Sequence, residues 1–323
     1  MGISWVSQYV ASQVKDRVRR ILRLFGAGIH RLPRHQLSAP DALVSVKVGR
    51  FALMMYGSNK LTDIYLDSPD YNGELGRLVS ASIRKYPDLG LIDIGAHCGD
   101  TAAIAKSSAD IPVLCIEGDE RVHDLLVRNV KQFGGVATRC AFLGENVEEV
   151  ALSVEDESGS LMLVPNALAN DSKIALTTLD ACAMELPDID RYHLMKVDTE
   201  GFDCRILRGG MRYIRRVKPI IMMEYHRKNL NRNGENGLDT LEQLRDEGYH
   251  DVLFYDNGGR LLTTATLDQI DLVRDLHEYA DGYNGAIFYY DLCMFHSQDA
   301  DIASQFSRSE RGRRVNKDIV SPS

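Results

Sequence analysis

The chain predicts an α/β fold built on an open, mostly parallel sheet. Three observations point there. From residue 91 onward, short apolar runs alternate with stretches of helical spacing, the pattern of strand–helix–strand units. The first such run, Leu91-Ile92-Asp93-Ile94, passes into the turn Gly95-Ala96-His97-Cys98-Gly99-Asp100 and then into a run that can start a helix, Thr101-Ala102-Ala103-Ile104-Ala105. The next apolar run ends in Glu117, roughly twenty residues past the glycine turn, where a carboxylate in such a fold meets a ribose diol. Ligands of open parallel sheets lie in the crevice beyond the strands' carboxyl ends, so these features place a site there.

The 323 residues suffice for one large α/β domain with attachments. Hydrophobic residues make up 44% and charged residues 26%, the balance of an ordinary soluble domain. A formal net charge of −8 gives no general attraction to phosphate backbones, so no nucleic-acid partner is expected. The six cysteines form no C-x-x-C pair, and several sit in apolar runs as small hydrophobes. That usage suits a reducing, cytoplasmic setting. No segment approaches the roughly 20 apolar residues that a membrane span requires.

Taken in order, residues 1–36 read as a basic amphipathic arm. Val14, Val18, Ile21, Leu22 and Phe25 share one helical face, and Lys15, Arg19, Arg20 and Arg23 lie off it. Such a helix can contact an anionic membrane surface at the periphery, or pack on its own domain or on a second copy of the chain. Residues 37–90 read as a β/α extension: Val44, Val46 and Val48 alternate, Gly49-Arg50 can turn, and Leu75, Leu78, Val79 and Ile83 fall at helical spacing. Residues 91–296 form the main domain. A helix is predicted over 120–133 and a third strand near 136–142, with Phe142 at its end. A β-insertion follows over 147–165, then a strand over 174–179. Two buried strands end in Asp198 and Glu200, and in Glu224 and His226. The polar run 227–237 reads as a loop that could close over a site. Strands near 252–255 and 261–262, a helix over 267–276 and a last strand over 286–295 complete the domain. The Ser-, Asp- and Arg-rich tail, 297–323, is expected to be disordered.

The glycine turn reads G-x-x-x-G. It has neither the third glycine of a dinucleotide fingerprint nor the lysine of a P-loop. A charged amino acid joined to a nucleoside, S-adenosylmethionine, fits it better than a pyrophosphate. The expected cofactor contacts are Asp93, toward the amino group or a bridging water, then Gly95, Ala96, His97, Gly99 and Thr101, with Glu117 on the ribose and Phe142 near the adenine. Asp198, Glu200, Glu224 and His226 then face an acceptor. Methyl transfer from a sulfonium to an alcohol needs alignment and removal of the hydroxyl proton. His226 has a suitable ordinary pKa, and Asp198 can take the proton or orient the imidazole. Asp198, Glu224 and His226 are also the donor types of a Mg²⁺ or Mn²⁺ site.

Asp93-Ile94-Gly95-Ala96-His97-Cys98-Gly99-Asp100, the strand-end Glu117, Thr178-Leu179-Asp180, Lys196-Val197-Asp198-Thr199-Glu200-Gly201, the 219–224 strand and Tyr290-Asp291-Leu292 together resemble the FkbM family of methyltransferases. The resemblance covers roughly residues 45–295. It implies a class I, Rossmann-like S-adenosylmethionine fold: a seven-stranded, mostly parallel sheet with an antiparallel last strand and helices on both faces. It also implies O-methylation of a hydroxyl, most often on a sugar of a glycan, glycolipid or secondary metabolite. His97 stands where the family more often has Asn, Thr199 where it has Val, and Gly118 where Pro follows the acid. Two other readings stay open: an NAD-dependent oxidoreductase on a similar sheet, and a methyltransferase-like module that binds without turnover.

Overall fold

The computed structural model describes residue 39 and residues 42–157, 160–165, 173–280 and 287–319. The basic arm expected over 1–36 lies outside the described residues. The alternating run builds an antiparallel hairpin from β1 (Leu43–Val48) and β2 (Phe51–Tyr56). Two helices follow, α1 (Lys60–Asp67) and α2 (Gly73–Ser82). Next come β3 (Leu91–Ile94), α3 (Asp100–Ser108), β4 (Val113–Glu117), α4 (Glu120–Val130) and β5 (Val136–Cys140). The insertion supplies five short strands: β6 (Phe142–Gly144), β7 (Glu148–Val150), β8 (Leu152–Glu157), β9 (Ser160–Pro165) and β10 (Ile174–Thr178). They form a small sheet of order β6-β10-β7 and a β8-β9 hairpin.

The chain returns to the main sheet through α5 (Leu179–Met184), β11 (Leu194–Val197), α6 (Asp203–Arg208), α7 (Met211–Val217) and β12 (Ile220–Tyr225). It finishes with α8 (Arg227–Arg232), α9 (Leu238–Asp246), β13 (Tyr249–Asp256), β14 (Leu261–Thr266), α10 (Ile270–Tyr279), β15 (Tyr290–His296) and α11 (Ala300–Ile319). Among the described residues the main sheet has eight strands in the order β14-β13-β15-β12-β11-β3-β4-β5. Pairing is parallel from β5 through β12 and antiparallel from β12 through β15 and β13 to β14. The sheet therefore exceeds the seven strands expected. The extra edge strand arises because the Asn257-Gly258-Gly259 turn folds β14 back on β13: Asp256 Oδ1 accepts from the Gly258 and Arg260 amides at 2.9 and 3.0 Å. The run expected as a loop over 227–237 opens instead as α8, which buries Leu230.

Period-two alternation sorts the strand residues between two cores. Leu91, Cys115, Leu194, Met222 and Cys293 pack on one face with residues of α2, α3, α4 and α11. Ile92, Leu114, Met195, Met223 and Leu292 pack on the other with α5, α6, α7, α9 and α10. Asp93, Glu117, Lys196, Glu224 and Asp291 each stand two residues from a member of the first set, at the sheet edge where the parallel strands end. One rule of strand geometry thus delivers these five charged side chains to the same face.

The tail is a correction. Its polar composition predicts disorder, but Ile302, Ala303 and Phe306 are buried against the sheet face that carries Phe295. Lys85 holds the start of this segment through Asp299 and Asp301, at 2.9 and 2.7 Å. Arg77 of α2 makes a two-bond fork to Glu310, both contacts 2.6 Å. A few apolar side chains at helical spacing, with ion pairs at both ends, order a run whose average composition is polar. No described helix is long and apolar enough to cross a membrane. Replacing Phe306 by Ala is expected to lower the urea-unfolding free energy by about 3 kcal/mol; an unchanged midpoint would show that α11 does not dock on the sheet.

Candidate active site

A cleft of about 1460 Å³ runs along the strand ends. Gly95, His97, Thr101, Glu117 and Phe142 line it together with Asp198, Glu200, Glu224 and His226. The two groups of residues expected to serve cofactor and acceptor therefore share one space.

The glycine turn is built for close approach. Gly95 has φ +76°, and a Cβ there would lie 1.8 Å from the Asp198 carbonyl oxygen. The absence of a side chain lets the β3 and β11 loops touch backbone to backbone. His97 adopts φ +45°, an uncommon conformation for a residue with a side chain. Its amide donates to Glu117 Oε2 at 2.9 Å, and its Nε2 lies 2.8 Å from Asn59 Nδ2. The other Glu117 oxygen accepts from the Asp119 amide at 2.9 Å. Asn129 ties the same turn to the β1-β2 hairpin: it donates to the Cys98 and Met54 carbonyls and accepts from the Met54 amide, each at 2.9 Å.

Asp93 is placed differently from expectation. Its carboxylate is fully buried and does not line the cleft. The Thr101 hydroxyl donates to Oδ2, and Oδ1 has no hydrogen-bond partner among the described residues. Burial pushes Asp93 up to about 6, with the Lys196 charge pulling the other way. Asp93 braces the turn from behind, so Thr101 comes between it and the space it was expected to face. Ala96 and Gly99 likewise stand outside the lining.

The β11 loop carries the densest electrostatics. Lys196 is buried, and its Nζ lies 2.6 Å from Asp198 Oδ2. Burial alone would lower the ammonium's pKa, but the Asp198 and Asp93 charges outweigh it and hold it above the ordinary value. Asp203 accepts from the Thr199 and Gly201 amides at 3.0 and 2.9 Å and so shapes the loop. Burial raises it to about 6. Gly201 has φ +106°, and a Cβ there would meet the Asn229 carbonyl at 2.6 Å. Asn229 Nδ2 donates to Glu200 Oε2 at 2.7 Å. Glu224 is buried, and Oε2 has no hydrogen-bond partner among the described residues. Burial, then the Glu200 and Asp198 charges, push it well above the carboxylate range. His226 follows on the same strand end and stacks on Tyr289, centroids 5.8 Å apart at 16°.

The expected metal trio is not assembled. Among the described residues, the one His, Cys, Asp or Glu group with ligand atoms all within 4.8 Å of one another is His97, Cys98 and Asp100. Asp198, Glu224 and His226 do not form such a group, and Lys196 already stands at Asp198 as its cation. Lys196, readable from the sequence as a strand lysine paired to an acid, meets Asp198, since residues two apart on a strand share a face. Asp203 and Asn229, without an assigned role at the sequence level, also matter.

Residues 93–250 match the family model described as the methyltransferase FkbM domain. Residues 93–250 are thus an FkbM methyltransferase domain. No curated protein matches it. Among solved structures, the FkbM methyltransferase from Methylobacillus flagellatus KT is 18% identical, with a TM-score of 0.36, covering 51% of this chain and 39% of that one. This chain thus spans about two fifths of that protein's length. P. horikoshii TYW2 in complex with MeSAdo is 12% identical (TM-score 0.40; 81% and 74% covered). M. jannaschii TYW2 in complex with AdoMet is 10% identical (TM-score 0.40; 80% and 88% covered).

Lys196→Met removes the cation from this group of acids and is expected to cost about 3 kcal/mol in urea unfolding near pH 8. An acid near 6 in the native state and 3.8 ordinarily binds its proton more tightly folded than unfolded, so stability falls as pH rises through that window. Losing Lys196 raises Asp93 further and widens the window. The penalty should therefore shrink at about pH 5, where the acids protonate; a penalty independent of pH would show that Lys196 acts only by packing.

Proposed function

We propose that this chain is an S-adenosylmethionine-dependent O-methyltransferase whose acceptor is a hydroxyl of a sugar. The observation that carries the reading is the single cleft that joins Glu117 on β4 to Asp198 and Glu224 on β11 and β12. The residues fit the cofactor. Glu117 has each oxygen fixed by one backbone amide, with further lone pairs for a diol. Phe142 and Ala141 line the cleft beside it for a flat base. Gly95 and His97 present backbone at the turn, and Thr199 lines the floor where the β3 and β11 loops meet.

When bound, S-adenosylmethionine supplies a sulfonium methyl group. Asp198 takes the acceptor's hydroxyl proton. It stands against the Gly95 turn, and Lys196 balances its charge. Glu224, whose carboxyl burial pushes well above its ordinary value, lines the cleft beside it and so favours the form that donates a hydrogen bond. Glu200, held by Asn229, accepts from a neighbouring hydroxyl. His226, stacked on Tyr289, walls the acceptor's ring. The acid-rich lining disfavours polyanionic acceptors, and the mix of carboxyl, amide and aromatic groups suits a polyol.

Calorimetry with S-adenosylhomocysteine tests the cofactor half: Glu117→Ala should weaken binding about 10- to 100-fold. Asp198→Asn should lower kcat about 10²- to 10⁴-fold and change that affinity little. Protection against heat by NAD(H), with none by S-adenosylhomocysteine, would favour the oxidoreductase reading and defeat this one.

A further inference from the structure

We propose that α2 and α11 build a second, distal acceptor subsite, which makes the chain select an oligosaccharide or glycoconjugate over a single sugar. The inference rests on the sugar reading above. It begins with the length of the cleft. Past Glu224 the lining continues over Tyr289 ahead of β15, Asp256 at the end of β13 and Leu261 on β14. Three inter-strand spacings separate β12 from β14, about 14 Å, more than one pyranose ring spans. The 1460 Å³ volume likewise exceeds the roughly 300–1,000 Å³ of a typical small-ligand pocket.

The far wall has the chemistry of a binding surface. Arg77 and Glu310 are locked together by their fork, and Glu310 is buried. With its guanidinium engaged by a carboxylate, Arg77 is a poor anchor for a free anion and a good one for neutral hydroxyls. Glu74 lies beside it in the lining. Burial pushes it up to about 7, with Arg77 pulling the other way, so near neutral pH it both donates and accepts. The Tyr255 hydroxyl is buried behind this wall, outside the lining, near the Glu310, Glu74 and Arg77 charges. Arg313 extends the wall toward solvent. Paired donors and acceptors without excess positive charge read hydroxyls. Glu74, Arg77, Glu310 and Arg313 all fall outside the 93–250 domain match, so this end of the cleft is set by the chain's own additions to the domain.

The test uses the full chain, radiolabelled S-adenosylmethionine, and tagged mono-, di- and trisaccharides of glucose, galactose, mannose and rhamnose. In the series that accepts methyl, kcat/KM should rise about tenfold or more from mono- to trisaccharide, and Glu310→Gln and Arg313→Ala should each cut that ratio about fivefold. Arg313→Ala leaves the Arg77–Glu310 fork in place, so it reports even if Glu310→Gln misfolds. S-adenosylhomocysteine affinity should be unchanged in both. A ratio near one in the native chain, or an unaltered ratio in Arg313→Ala, overturns the subsite. No transfer to any sugar while S-adenosylhomocysteine still binds overturns the sugar reading, and the subsite with it.

Discussion

The Lys196–Asp198 ion pair is the interaction on which the rest of the site depends. Strand alternation drives Asp93, Glu117, Glu224 and Asp291 to one face and one edge of the sheet. Burial makes their charges costly, and their mutual repulsion adds to the cost. Two remedies are visible. Lys196 is buried among them and balances Asp198 and Asp93. Burial raises Glu224 and Asp291, farther along, well above their ordinary values. The result is a graded row, with an ion-paired carboxylate just past β11 and carboxyls of raised pKa at β12 and β15.

That gradient requires loops that hold still. Asp203 pins two amides of its own loop, Asn129 fastens the glycine turn to the hairpin, and Asn59 meets His97 from α1. The attachments outside the domain match are therefore part of the site's frame. Gly95 and Gly201 mark points beside the cleft where backbone packs so tightly that no side chain fits.

Strand ends and their acids are legible in the sequence because apolar runs and period-two alternation are local properties. The parallel sheet, the glycine turn and the convergence of Glu117 with Asp198, Glu200, Glu224 and His226 all follow from them. Depth is not local. Asp93 sits at the expected strand end, yet the helix after the turn folds Thr101 across it and takes it out of the cleft. Nor does composition report docking: the residues of α11 look like tail until Phe306 and Glu310 meet partners far away in the chain. The metal trio failed for a related reason, since donor types at successive strand ends say nothing of whether their ligand atoms reach one another.

The fork between Arg77 and Glu310 joins positions 233 residues apart. A contact of that sequence separation closes one of the largest loops available to the molecule, and loop-closure entropy makes such contacts late ones. During synthesis the glycine turn, Glu117 and Asp198 have all left the ribosome well before Glu310. The nascent chain can therefore complete the end of the cleft around Glu117 first, and the opposite end closes only when the last helix docks.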